Sequence, residues 1–158
     1  MDTFELEKLI WDESDFENMG WHDSQIWSLF ANPDAFEFLV DLDYIFKWVC
    51  PPEGEKYFQF WVAPATMVFE NVHDIKIQLA SEQGTIEVAD LLKEEPSLVP
   101  NGRFTQYRYR FECQEGNISL MATGYKMFVR RRPILQRRQG LSLTERKGVG
   151  FARGLDVA

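Results

Sequence analysis

The chain holds two histidines, and each is followed by an aspartate: His22-Asp23 in GWHDSQIW and His73-Asp74 in VFENVHDIKI. Imidazole and carboxylate are ordinary zinc ligands, and a metal held by several of them can activate water for hydrolysis. The same residues have a plainer use. Aspartate accepts nearby backbone N–H groups and commonly stands in a turn before a strand. Neighbouring residues on an extended strand point to opposite faces, so one His-Asp pair chelates a single ion poorly. Two strand entrances sharing one turn chemistry are therefore expected. The alternative is a metal-dependent hydrolase in which His22, Asp23, His73 and Asp74 meet in space.

Two further clusters carry charge. Asp41 and Asp43 in DLD lie two apart, which on a strand points both carboxylates the same way at about 7 Å. That separation is in the range of a two-carboxylate glycosidase. It is also the look of a solvated strand face, the reading preferred here. The second cluster is Arg130-Arg131-Arg132, an anion-binding candidate because guanidinium groups bind phosphate and carboxylate bidentately. It opens a basic stretch that continues through Arg137, Arg138, Arg146, Lys147 and Arg153. Arg108 and Arg110, alternating with Tyr107 and Tyr109, could extend such a patch towards nucleic acid. The net charge of −8 opposes a polyanion. Residues 1–99 carry 21 acidic and 5 basic side chains, while residues 100–158 carry 4 and 12. The basic end is thus expected to lie over the acidic part and offset it, and nucleic acid is not the expected partner. No phosphate-binding glycine loop, dinucleotide fingerprint or nucleophile elbow is present.

The elements that position these groups read mainly as strands. FEFLVDLDYIF sets Phe36, Phe38, Val40, Leu42, Tyr44 and Phe46 on one face and Glu37, Asp41, Asp43 and Lys47 on the other. Period-two alternation of this length is the mark of an antiparallel strand. Pro51-Pro-Glu-Gly54 ends it. YFQFWVA follows, Pro64 interrupts, and TMVFENV and DIKIQL continue. TIEVADLLKEE reads as a strand running into a short helical turn before Pro96, since Val88, Leu91 and Leu92 have helical spacing. RFTQYRYRFEC and ISLMATGYKMFV form a hairpin about Gln114–Asn117. Asp2-Thr-Phe-Glu5 has capping-box spacing before Phe4, Leu6, Leu9 and Ile10, which predicts a short N-terminal helix. Asp12 to Asn18 reads as a loop.

The expected fold is mainly β, with α+β as the variant: an antiparallel β-sandwich or open barrel of about seven or eight strands with one or two short helices. Residues 1–129 form one β-rich domain, and 130–158 a basic segment, partly extended or mobile and draped on it. With 158 residues and 15% aromatic side chains the chain can build a core without disulfide or metal. Two cysteines, Cys50 and Cys113, are too few for a disulfide framework, which fits a reducing compartment. The acidic start lacks the pattern of a secretory signal, and no apolar run approaches the ~18 residues of a membrane span. A cytoplasmic location is expected, with no membrane partner and no cofactor.

Gly20-Trp21-His22-Asp23-Ser24-Gln25-Ile26, a long alternating strand, and then Met67-Val68-Phe69-Glu70-Asn71-Val72 resemble a group of uncharacterised bacterial β-rich proteins. In layout the stretch is also similar to some immunity-protein families of bacterial toxin systems. The resemblance implies a non-enzymatic protein that binds another protein, and it carries no site residues across. The expected function is accordingly a binding module, as monomer or homodimer. Its partner, expected to be basic, is met by Asp41, Asp43, Trp48 and Trp61. The rivals are the hydrolase above, nucleic-acid binding through the basic tail, and an apolar ligand pocket lined by the many Trp and Phe side chains.

Overall fold

A computed structural model describes residues 3–156. Ten strands run in chain order: β1 (Ile10–Asp12), β2 (Gln25–Asn32), β3 (Glu37–Val49), β4 (Gln59–Glu70), β5 (His73–Leu79), β6 (Ile86–Leu98), β7 (Thr105–Cys113), β8 (Gly116–Ala122), β9 (Gly124–Val129) and β10 (Ile134–Gln136). A 3-10 helix spans Glu13–Asn18, and one α-helical turn, α1, spans Leu143–Arg146. All pairings are antiparallel, in the order β1-β9-β4-β3-β2-β6-β7-β8-β5, with β10 also beside β4. The mainly β, antiparallel class is as expected, with more strands than the sequence pattern separates.

The sheet bends on itself. β4 and β7 stand four strands apart in that order, which would be roughly 19 Å on a flat sheet. Yet the Phe69 ring of β4 lies 5.2 Å from Tyr109 of β7 and 5.9 Å from Phe111. The inner faces of the two halves therefore meet. Phe38, Val40, Leu42, Met67 and Phe69 pack there against Val88, Leu91, Tyr109, Phe111, Ile118 and Leu120. The hinge is narrow: β2 and β6 pair only at Gln25–Glu87 and Ile26–Ile86. The stretch read as one returning strand, ISLMATGYKMFV, instead breaks at Thr123. Its first part, β8, pairs with β5 and β7, and its second, β9, with β1 and β4.

Two sequence readings fail, the first because of a β-bulge. Val88 and Leu91 are both buried although three residues apart, because the β6–β7 register shifts between Val88 and Asp90. The bulge imitates helical spacing inside a continuous strand. At the N-terminus, residues 3–8 form no helix, and Asp2 lies outside the described residues. The capping chemistry sits later. Asp12 accepts from the Ser14 N–H at 2.9 Å, and Asp15 accepts from the Asp12 N–H at 2.9 Å, starting the 3-10 helix where a loop was expected.

Pro64 does not break β4. Its carbonyl accepts from the Arg130 N–H at 2.9 Å, just past the end of β9. The N–H that proline lacks would point to the same side, into the gap where β9 has stopped and β10 has not begun. The outer face of β3 and β4 is covered by the C-terminal segment. Leu141 closes over Ile45, Phe60 and Val62 as a second, smaller core.

Candidate functional site

The Asp41–Asp43 face departs from the expectation of a solvated surface. Both residues are 0% exposed, so neither can greet a partner. The C-terminal segment brings two arginines onto them. Arg146 donates from Nε to Asp43 at 3.0 Å and from its terminal nitrogens to Asp41 at 2.9 and 2.8 Å. Arg130 donates to Asp41 at 2.8 Å and to the Thr66 hydroxyl at 2.9 Å. The Gly150 N–H completes Asp41 at 3.0 Å, and Trp27 Nε1 and the Leu141 N–H complete Asp43 at 2.7 and 2.9 Å. The Arg146 guanidinium also lies over the Trp27 ring. Two carboxylates and two guanidinium groups leave no formal charge.

Burial pushes the Asp43 pKa above its ordinary value, with Arg146, the Leu141 N–H and Trp27 pulling it back. For Arg146, burial works against the charge, but Asp41 and Asp43 outweigh it and hold the pKa up. The basic end therefore does neutralise the acidic strands, as anticipated, but by an internal ion cluster rather than across a surface. Removing one member of such a buried cluster would strand the charge of another, so the cluster latches the C-terminal segment onto β3.

The His-Asp pairs share a backbone device. Ser24 N–H donates to the Trp21 carbonyl at 3.2 Å, closing a turn whose third residue, Asp23, has φ 68°. Asp74 has φ 54° in the bulge that opens β5. Aspartate tolerates this left-handed conformation better than most residues. The partners of the pairs are separate. His22 lies 3.3 Å from the Ala89 carbonyl and stacks on Trp48, and Asp23 accepts from Gln139 at 2.6 Å. His73 pairs with Gln106 at 2.9 Å, and Asp74 with Arg108 at 2.5 Å. Among the described residues no three His, Cys, Asp or Glu side chains converge as a metal site would require. One carboxyl near His22 is unusual: Asp23 beside it, then burial, hold the Glu87 pKa above its ordinary value.

Three exposed aromatic side chains, Trp48, Tyr57 and Phe58, gather at the far end of the β3–β4 hairpin, while Phe30, Phe36 and Phe104 are exposed singly elsewhere. A bulge between Ile45 and Lys47 inserts Phe46 and reverses the phase of β3. Without it Trp48 would continue the inner face of Leu42 and Tyr44. With it Trp48 pairs with Phe60 on the outer face, their rings 4.9 Å apart. Glu55 N–H donates to the Pro52 carbonyl at 2.9 Å, and Gly54 at φ 93° makes this a type II turn. The chain then returns through Lys56, Tyr57 and Phe58. Trp48, Tyr57 and Phe58 are 40%, 76% and 42% exposed. Together with Phe60 they line a groove of about 460 Å³, to which Lys56, Arg137, Arg138 and Gln139 also contribute. Trp61 does not belong to it. It is 8% exposed, on the inner face, with the Phe4 ring 5.8 Å away.

Of the residues expected to meet a partner, then, Trp48 alone stands at an accessible site, while Asp41, Asp43 and Trp61 are interior. Tyr57 and Phe58, and the arginines opposite them, carry no sequence signal beyond being aromatic and basic. No described helix is long and apolar enough to cross a membrane. No family model, curated protein or solved structure matches the chain.

Proposed function

We propose that this chain is a non-enzymatic binding module, of the immunity-protein kind, that captures an acidic segment of a protein partner in the Trp48–Tyr57–Phe58 groove. The observation that carries the reading is the exposure of three large aromatic side chains, which line one groove at the hairpin end. Isolated exposed apolar residues are ordinary, but a contiguous aromatic patch with a polar rim is the composition of a binding surface. The rim sets the partner's charge. Lys56 and Arg137 face the groove, and Arg138, bridged to Glu145 at 2.6 Å, adds a third cation. Glu53 and Glu55 belong to the same loop but do not line it. Asp41 and Asp43, the residues expected to meet a basic partner, are buried, and the cations of the groove favour an acidic one. The two unpaired cysteines suit a cytoplasmic setting.

A photo-crosslinking residue in place of Tyr57, with a control at Ile77 on edge strand β5, tests this in a cell extract. A discrete protein adduct from position 57 is expected. It should be absent from position 77 and lost when Lys56, Arg137 and Arg138 are all changed to Glu. Equal crosslinking from both positions, or no effect of charge reversal, overturns the proposal.

A further inference from the structure

We infer a second binding site, independent of the aromatic groove: a cleft for a small organic anion, with a carboxylate or phosphate head and a compact apolar body. It lies where the C-terminal segment turns away from β4, and encloses about 430 Å³. That is within the range of small-molecule sites. Two observations point to an anion.

The first is what the arginine run does. Arg130 is spent on Asp41, Thr66 and the Gly150 carbonyl. Arg131 and Arg132 follow it and line the cleft instead. Arg131 is half-buried, and its Nη1 is out of reach of solvent with no hydrogen-bond partner. A guanidinium nitrogen withdrawn from water without an acceptor is costly, and an incoming anion would relieve that cost. Two acids, Glu145 and Asp156, line the cleft as well, each beside a cation of its own: Glu145 accepts from the Ser142 N–H and from Arg138, and Asp156 lies 3.7 Å from Lys147.

The second is the rest of the lining. Val62, Pro64, Ile134, Leu141 and Leu155 line the same cleft as the two cations and make part of it apolar. A bare inorganic ion would leave that surface unused, whereas an alkyl or aryl anion covers it.

The test is an amide-shift titration of the full chain with hexanoate, hexyl phosphate, inorganic phosphate and hexanol. Saturable shifts near Val62, Leu141 and Leu155 are expected with hexanoate or hexyl phosphate below 10 mM, and the tighter of the two identifies the head group. Hexanol and inorganic phosphate should each bind at least tenfold more weakly. Arg131→Gln and the more exposed Arg132→Gln should each weaken the anion tenfold or more, while Arg137→Gln in the aromatic groove should not. The proposal is overturned if no anion saturates the cleft, if hexanol binds as well as hexanoate, if inorganic phosphate binds as well as hexyl phosphate, or if neither cleft variant has an effect. Should Arg131→Gln fail to fold, Arg132→Gln decides.

Discussion

Replacing Arg146 by Ala removes three donors from two carboxylates that have no access to water. Breaking a buried pair by deleting one partner costs about 3–5 kcal/mol, because the surviving charge stays buried. In a chain of this length each kcal/mol moves the melting temperature by roughly 2–4 °C, so a fall of about 6–20 °C is expected. The pH dependence adds a sign. Asp43 already binds its proton more tightly than an ordinary carboxyl. Losing Arg146 raises its folded pKa further, so the folded variant holds more protons than the unfolded chain. Its stability then falls as pH rises through the region between the two pKa values. The gap between wild type and variant should therefore narrow as pH is lowered from 8 towards 5. The assay is thermal unfolding across that range, with amide exchange at Leu141 and Gly150, whose N–H groups bond to Asp43 and Asp41. A fall under 1 kcal/mol with both amides still protected would refute the latch. So would a gap that widens at low pH.

Other consequences can be checked directly. Tyr57→Ser with Phe58→Ser should shift the melting temperature by no more than about 4 °C, since exposed substitutions usually stay within ±0.5 kcal/mol each; a larger loss would make the patch structural. Cys50 is exposed, while burial and then Glu115 push the Cys113 thiol up to about 12. At pH 8 one thiol should alkylate rapidly and the second only on unfolding, as intact-mass kinetics would show; equal rates would contradict the burial. The Arg108 hydrogen bond holds the Asp74 pKa below the ordinary carboxylate value. Its contribution is complete above the unfolded pKa and lost as pH falls through the folded one. Exchange of β5 amides should accelerate below about pH 4 in wild type, but not further in Asp74→Asn.

What the sequence made legible was whatever obeys a simple period. The inner face of β3 from Phe38 to Tyr44 and the Tyr109–Phe111 face of β7 are read correctly from alternation. Alternation also led to the main error. It separates the two faces of a strand but cannot say what covers the second, so Asp41 and Asp43 looked solvated. The cover comes from Arg130 and Arg146, 89 and 105 residues further on. The charge imbalance between the two parts of the chain was the available clue, and it foresaw the pairing without its geometry. Bulges were invisible because an inserted residue leaves no compositional mark. The one in β6 mimicked a helix, and the one at Phe46 decided that Trp48 faces out. The aromatic groove could not be assembled in advance, because Arg137 and Arg138 reach Tyr57 only through the path of the C-terminal segment.

The most direct test of the binding-module reading is a differential display selection. Random twelve-residue peptides are selected on the wild-type chain and counter-selected on Tyr57→Ser/Phe58→Ser/Arg138→Glu. The groove predicts enrichment of acidic peptides bearing an aliphatic or aromatic anchor, with binding to wild type that weakens at high salt and disappears on the variant. Peptides that bind both proteins equally, or enrichment of basic sequences, would contradict it.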